Sequence, residues 1–389
     1  MSAIFRLATR YVVHHRWRSS VLAMGVAVAF FFPMALSLLV SGFSENLAAR
    51  ADATPLVCGA RGSRFDLILD ALYFRGRVSN ALTMAEAELI MESGLAIPVP
   101  VLARGTAGGR RLVGTVPEYF EFRERSVAEG RLPLWIGEAV LGSRVASELE
   151  LGAGDKLLTD QDNLYDLSKG YPLKLAIVGV LTETGTPDDE VVFCSTKTGW
   201  IVEGLAHGHI SAEMQAEGSV LSRDSGGIVL DSSITEFAEI TPNNVDSFHF
   251  HGTAEDLPLT SIIVLPTDQR AETKLKGRYR VSATAQLLEP QDVISELLGF
   301  VFRIKRFFDA NSLLAGAAAS LFMSIIVALS LQARRRELEA YFKLGVSRAQ
   351  IAGLLACEFA MIIAVGLSIA FAAAWAASLA GQSVGQVLS

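Results

Sequence analysis

Apolar positions along the 389-residue chain fall into two regimes. In residues 21–40, 313–331 and 351–380 they run almost unbroken, and each run matches the roughly 20 apolar residues that cross a bilayer. Between the first two runs, apolar residues alternate or recur at helical spacing, as in a globular chain. The spacing predicts a strand or short mixed element over 66–73, a helix over 84–92 and a strand over 96–103. It continues with a strand over 138–141, a helix over 143–149, and buried strands over 173–181 and 191–194. Strand 261–265, helix 268–278 and strand 281–288 close the series, and Gly, Asp and Asn clusters at 152–164 and 222–227 mark loops. Two parts are expected within this stretch: a membrane-proximal α/β part from 45–130 and 255–290, and an inserted β-rich part over 131–254.

From Pro290 onward, Val293, Ile294, Leu297, Val301, Ile304 and Phe308 recur at helical spacing and feed into the second apolar run. They predict one helix to Gln332, about 60 Å long at 1.5 Å per residue. A break near 309–311 is the plainer alternative.

Charge orients the spans. Arg6, Arg10, Arg16 and Arg18 precede the first with no acidic residue, so the N-terminus is expected inside. Ile4, Leu7 and Tyr11 interleave with these arginines and suit an interfacial helix within residues 1–18, although a plain basic patch would orient the chain equally well. The apolar run is longer than the core of a cleaved signal peptide. Between the second and third runs, Arg334, Arg335, Arg336, Lys343 and Arg348 outnumber Glu337 and Glu339, so this connector is expected in the cytoplasm. It reads as a helix hairpin, with Gly345 in a left-handed C′ position and Ser347 with Gln350 as a capping box. With +4 in residues 1–43, +2 in 334–389 and −7 overall, residues 44–333 hold −13. So acidic an exported part argues against nucleic acid as a partner.

The expected organisation is therefore an interfacial helix (1–18), first span and start of a stalk (19–44), exported core (45–300), stalk and second span (301–332), cytoplasmic elbow (333–350), third span (351–380) and exported tail (381–389). Small residues recur every fourth position in each span: Gly25, Ala29, Pro33, Ser37 and Ser41; Gly316, Ser320, Ser324 and Ala328; Gly366, Ala370, Ala374 and Ser378. Such ridges predict a tight bundle rather than a pore. No charge sits at mid-depth, and Glu358 lies near the cytoplasmic face, within reach of an elbow arginine. An ion-driven carrier is disfavoured.

Catalytic signatures are missing. The chain has no G-x-x-x-x-G-K-[ST], G-x-S-x-G, H-E-x-x-H or C-x-x-C, so hydrolase chemistry and nucleotide binding of that kind are not expected here. Two H-x-H pairs, His207 with His209 and His249 with His251, stand in the exported part. In extended strands each pair presents both imidazoles on one side. Four histidines, or three with a carboxylate, suit Zn²⁺; two solvated loop-edge pairs are the plainer alternative. Cys58 and Cys194 also lie in the exported part, where they fit either a disulfide or two buried thiols.

The order of elements, with RRRELEAYFKLGVSRAQI leading into LLACEFAMIIAVGLSIAFA, resembles the MacB/FtsX-type permeases, the type VII ABC transporter fold. The family motif is matched at Arg334, Arg335, Arg336 and Glu337, at Leu344, Gly345 and Ser347, and at Gln350 and Glu358. The segments VGTVPEYFEFRERSVAEGRLP, EAVLGSRVASEL and KLAIVGVLTETGTPDDEVVF resemble the family's periplasmic core. The resemblance implies an α-helical protein of the bacterial inner membrane with a large mixed α+β periplasmic domain and long stalk helices. It implies a non-catalytic permease subunit that binds no cofactor itself and uses ATP on a cytoplasmic ABC ATPase partner. It also implies pairing with a second permease copy, as homodimer or heterodimer, and coupling through the motif residues. Function is then ATP-driven movement transmitted through a stalk, for export or extraction of a peptide, lipid-linked or metal-associated substrate. An FtsX-like adaptor that signals to a periplasmic partner without moving a substrate is the alternative. The family ordinarily carries a fourth span; this sequence ends at Ser389 after the third, so the fourth family helix is expected to be absent.

Overall fold

The computed structural model describes residues 2–76, 81–160, 172–208, 220–224, 227–230, 238–250, 252–333, 335, 339–340, 343 and 345–387. Its helices are α1 (Ser2–His14), α2 (Arg16–Asp52), α3 (Arg64–Tyr73), α4 (Met84–Glu92), α5 (Pro117–Phe122), α6 (Ser143–Leu149), α7 (Thr196–Val202), α8 (Gln269–Arg280), α9 (Pro290–Ala333) and α10 (Arg348–Val387). The strands are β1 (Leu56–Ala60), β2 (Leu82–Thr83), β3 (Ala96–Ala107), β4 (Arg110–Thr115), β5 (Val127–Gly130), β6 (Glu138–Leu141), β7 (Lys156–Leu158) and β8 (Lys174–Leu181). They continue with β9 (Val192–Ser195), β10 (Ala206–Gly208), β11 (Val220–Asp224), β12 (Gly227–Leu230), β13 (Phe248–Phe250), β14 (Pro258–Leu259), β15 (Ser261–Pro266) and β16 (Ala285–Leu288). Two compact units result: Ala48–Ser295, and Met1–Leu47 with Glu296–Ser389.

In the unit Ala48–Ser295, one sheet runs in the order β16-β1-β15-β3-β4-β9-β6-β8-β5, with β7 also on β8. Its apolar runs are buried on both faces. In β15, Ile262 and Val264 join one core cluster while Ile263 joins another, and in β9 Val192 and Cys194 separate in the same way from Phe193. That is the period-2 split of a strand covered on both sides. The expected division into a membrane-proximal and an inserted part is not followed by the strands. β4, from the first, pairs in parallel with β9, from the second. Strand β3 makes this continuity: it pairs with β15 along one edge and with β4 along the other, with a register shift between Ala103 and Thr106.

Residues 66–73 form α3, not a strand. Leu67, Ile68, Ala71 and Leu72 are buried at helical spacing. The Ser63 hydroxyl accepts from the Asp66 amide at 3.2 Å, capping the helix from just outside the apolar run. Of the two readings of the exported cysteines, the structure has the buried thiols and not the disulfide. Cys58 in β1 and Cys194 in β9 are both free and buried. Three strands separate them, about 19 Å at 4.8 Å per strand, far beyond disulfide reach. Burial, helped by Glu86, pushes the Cys58 thiol up to about 12, and burial does the same to Cys194.

In the other unit, helices Arg16–Asp52, Pro290–Ile326 and Arg348–Leu379 are long and apolar enough to cross a membrane. α9 is unbroken over its 44 residues, including 309–311. Pro290 opens it, where a missing N–H costs nothing. α1 packs along α10, and the Thr9 hydroxyl lies 3.7 Å from the Met361 sulfur. α10 meets α2 at Gly366, where a Cβ would sit 2.7 Å from both the Ala23 oxygen and the Val26 Cβ. Ala370 and Ala374 on the same ridge are 1% and 0% exposed. The ridges of the first two runs do not close in the same way. Gly25, Ala29, Gly316 and Ser320 instead line an open apolar groove of about 630 Å³.

Candidate functional site

The unit Ala48–Ser295 holds a buried charged cluster at the last turn of α2. The Arg50 guanidinium donates to Asp188 twice, from Nη2 to Oδ1 at 2.7 Å and from Nη1 to Oδ2 at 3.3 Å. Nη2 also donates to the Tyr119 hydroxyl at 2.9 Å, and that hydroxyl donates to Asp188 Oδ1 at 2.7 Å. Arg125 approaches Asp188 to 3.7 Å. Arg123 donates to the Thr54 hydroxyl at 2.9 Å, which in turn donates to the Arg50 carbonyl at 2.8 Å. Arg50, Tyr119, Arg123 and Asp188 are all at most 8% exposed.

Among the described residues, Asp188 is the carboxylate that meets these cations, and they fix its charge. Burial works against the ionised Asp188, but the Arg50 charge and the hydrogen bonds from Arg50 and Tyr119 outweigh it and hold the carboxyl below the ordinary range. Burial, and then the Arg50 charge, lower the pKa of Arg123. Burial, and then Asp188, raise the Tyr119 phenol, so it stays a donor at neutral pH.

The loop that presents Asp188 is itself held on several sides. Asp189 accepts from the Thr184 amide at 3.0 Å and the Gly185 amide at 2.6 Å. Glu190 meets Arg75 at 2.9 Å and Arg144 at 2.8 Å. Three successive carboxylates thus tie α2, their own loop and the ends of α3 and α6 to one short 3₁₀ turn, Pro187–Glu190. None of these residues was picked out from the sequence. The available signal was the acid run TPDDE, which reads as an ordinary solvated loop.

The elbow residues lie in the other unit. Gly345 has φ +89°, in the left-handed region that favours glycine. The Ser347 amide donates to Gln350 Oε1 at 3.0 Å, and the Gln350 amide donates to the Ser347 hydroxyl at 3.3 Å. This reciprocal pair is a capping box at the start of α10. Arg335 pairs with Glu339 at 3.2 Å, both well exposed. Glu358 is buried in α10 at 4% exposure. Arg334, Arg336, Glu337 and Leu344 lie outside the described residues.

One residue of each pair is described: His207 falls on β10 and His249 on β13, which pair antiparallel with these two positions directly opposite. His209 and His251 lie outside the described residues. Among the described residues, no three or more His, Cys, Asp or Glu are grouped to hold a metal ion.

Residues 19–223 match the family described as MacB-like periplasmic core domain, more than half of the chain. No curated protein matches it. Among solved structures, the extracellular domain of the noncanonic ABC-type transporter YknZ from Gram-positive bacteria is similar, at 11% identity over 60% of this chain and 98% of that one. The TM-score is 0.32, too low to carry an argument about fold.

Proposed function

Because this chain belongs to the MacB/FtsX-type permease family through its MacB-like periplasmic core domain, we propose that it is the permease subunit of an ABC transporter that carries motion from an ATPase to that domain. The observation that carries the reading is the Arg50–Asp188 clamp in the last turn of α2, a helix that starts at Arg16 and contains one of the apolar runs. Charged hydrogen bonds in a water-excluded pocket are short-ranged and stiff compared with sliding apolar contacts. Displacing α2 therefore moves the loop around Asp188 rather than slipping past it.

The elbow supplies the other end of the path. A left-handed glycine and a capping box hold a fixed turn before α10, and the exposed Arg335, Lys343 and Arg348 give it a cationic surface. Partners under this reading are a cytoplasmic ABC ATPase, which binds the ATP, and a second permease copy. This chain performs no catalysis. The cargo class is a peptide, a lipid-linked molecule or a metal-associated molecule, exported or extracted at the periplasmic side of a bacterial inner membrane.

The test is reconstitution with the partner ATPase in lipid. Leu344→Asp with Gly345→Asp is expected to abolish ATP-dependent activity while membrane insertion persists. Unchanged coupled activity in that double variant overturns the reading. ATP turnover that responds to a periplasmic partner protein but to no cargo would favour an adaptor instead.

A further inference from the structure

We propose that Arg303 and Arg306 on α9 bind the phosphate of an anionic membrane phospholipid. This rests on the reading of α9 as a membrane-crossing helix, which its length and apolar content support. The stretch from Phe300 to Ser312 carries Arg303, Lys305, Arg306 and one acid, Asp309. It is a basic island in a part of the chain, residues 44–333, that holds −13 overall. Basic residues at the exported end of a span run against the charge bias that orients it, so they call for another physical reason.

Their placement on the helix supplies one. Phe308 turns towards α2, where its ring lies 6.0 Å from that of Phe32. Arg303 and Arg306 are about 140–160° around α9 from Phe308 at 3.6 residues per turn, and both are exposed. Asp309 is engaged by Lys305 at 2.8 Å. Among the described residues, Arg303 and Arg306 take part in no hydrogen bond or ion pair. Two guanidiniums about one turn apart thus face away from α2 without a counter-charge.

The apolar residues beside them define what they face. Phe300, Phe302 and Phe307 stand exposed around the two arginines, Phe307 at 71%. Ala310, Leu313 and Leu314, also exposed, continue that face into the apolar run. Aromatic rings next to basic residues at the end of a span mark the passage from hydrocarbon to headgroups. Long side chains on a helix lean towards its N-terminus, which for α9 is the end away from the apolar run. The guanidiniums are therefore directed out of the hydrocarbon and into the headgroup layer.

The chemistry selects the headgroup. A guanidinium presents a planar fork that matches two phosphate oxygens, and two of them on one helix face can share one phosphate. A zwitterionic lipid brings its own ammonium to that phosphate, whereas a phosphatidylglycerol headgroup leaves it net negative. The preference for the anionic lipid is about fivefold per arginine, the effect of one basic residue at an anionic surface. A lipid held here pins α9 at one depth where the helix leaves the membrane.

The experiment places the full chain in lipid nanodiscs with phosphatidylglycerol that carries a photoreactive headgroup. Crosslinks to residues 300–307 are expected by mass spectrometry, and unlabelled phosphatidylglycerol should compete where phosphatidylcholine and inorganic phosphate do not. Arg303→Gln and Arg306→Gln should each lower the yield about fivefold. Lys174→Gln with Lys197→Gln, which removes two exposed charges from the exported core, should leave it unchanged. A chain that fails to enter nanodiscs refutes the membrane-crossing reading. A chain that enters but gives no crosslink at 300–307, or the same yield with both arginines replaced, overturns the site alone. Competition by inorganic phosphate, or by phosphatidylcholine as strongly as by phosphatidylglycerol, overturns the assignment of the partner. If the stretch reacts only in discs that hold a single copy, a second copy covers this face and the proposal fails.

Discussion

Arg50 and Asp188 stand 138 residues apart in the sequence and meet through two hydrogen bonds, the shorter 2.7 Å, with Asp188 only 1% exposed. A carboxylate so placed has two effects. It neutralises a buried guanidinium, and it fixes the end of α2 to the Pro187–Glu190 turn. Removing either partner leaves a buried charge without compensation, which typically costs about 3–5 kcal/mol.

Asp188→Asn is therefore expected to be more damaging than Arg50→Met. The amide leaves both Arg50 and Arg123 uncompensated, whereas the methionine removes one cation and leaves Arg125 near the carboxylate. Combining Arg50→Met with Asp188→Leu should recover part of the loss, since the two groups act as a unit. Thermal unfolding of the four proteins in one detergent measures this. Strictly additive losses would show that the pair carries no coupling.

Two carboxyls in the same unit respond to pH in opposite directions. Asp188 is held below its ordinary value. Its stabilisation is present above the unfolded carboxylate value, about 3.9, and is lost as pH falls through the folded one. Burial raises Asp70 to about 6 despite Arg111 at 3.3 Å. Asp70 thus favours the folded state below about pH 4, and that contribution is lost as pH rises towards 6. A carboxyl whose folded value is about 6 rather than the ordinary carboxylate value contributes on the order of 3 kcal/mol at low pH. Between pH 4 and 7, wild type should lose stability relative to Asp70→Asn. Parallel melting curves for the two proteins across that range would show that Asp70 does not titrate there.

The sequence disclosed what depends on neighbours along the chain. The apolar run of Ile262, Ile263 and Val264 reads as a strand because three β-branched residues in succession favour extended chain. Gly345, Ser347 and Gln350 read as a turn and cap because all the groups involved lie within six residues. The clamp was invisible for the opposite reason. Arg50 sits among alanines and an aspartate at a helix end, where an exposed arginine looks the same, and its partner lies in a distant acid run. Asp66–Tyr73 was ambiguous because its apolar positions fit both a period of 2 and a period of 3.6. The cap on Ser63 decided for the helix. A cysteine pair in an exported domain suggested a bond, and only the strand order could place Cys58 and Cys194 three strands apart.

Gly366 marks a close approach of α10 to α2, since any Cβ there meets the Ala23 carbonyl and Val26 at 2.7 Å. Backbone oxygen cannot step aside as a flexible side chain does, so the helices must part. Gly366→Ala is expected to cost about 1–3 kcal/mol, the usual range for overpacking, and Gly366→Leu more. Gly25→Ala meets nothing within 4 Å and should be close to neutral. Melting temperatures of these variants in detergent check the order, and equal effects at positions 366 and 25 would contradict the contact.

The last prediction concerns the elbow, where geometry and proposed role can be separated. Gly345 at φ +89° has no contact within 4 Å of an added Cβ, so a substitution there meets only backbone strain. That strain is about 1–2 kcal/mol for most residues and less for asparagine, which visits the left-handed region more readily. Coupled activity should therefore fall in the order glycine, asparagine, alanine, valine, with insertion into the membrane unchanged throughout. Ser347→Ala, which removes half of the capping box, should add about 1 kcal/mol of fraying at the start of α10, and its effect should be partly masked in the valine variant because both act on the same turn. ATP turnover and transport, measured in parallel on reconstituted protein, distinguish loss of coupling from loss of assembly. If all four residues at position 345 support the same coupled rate, the turn is not what transmits the stroke.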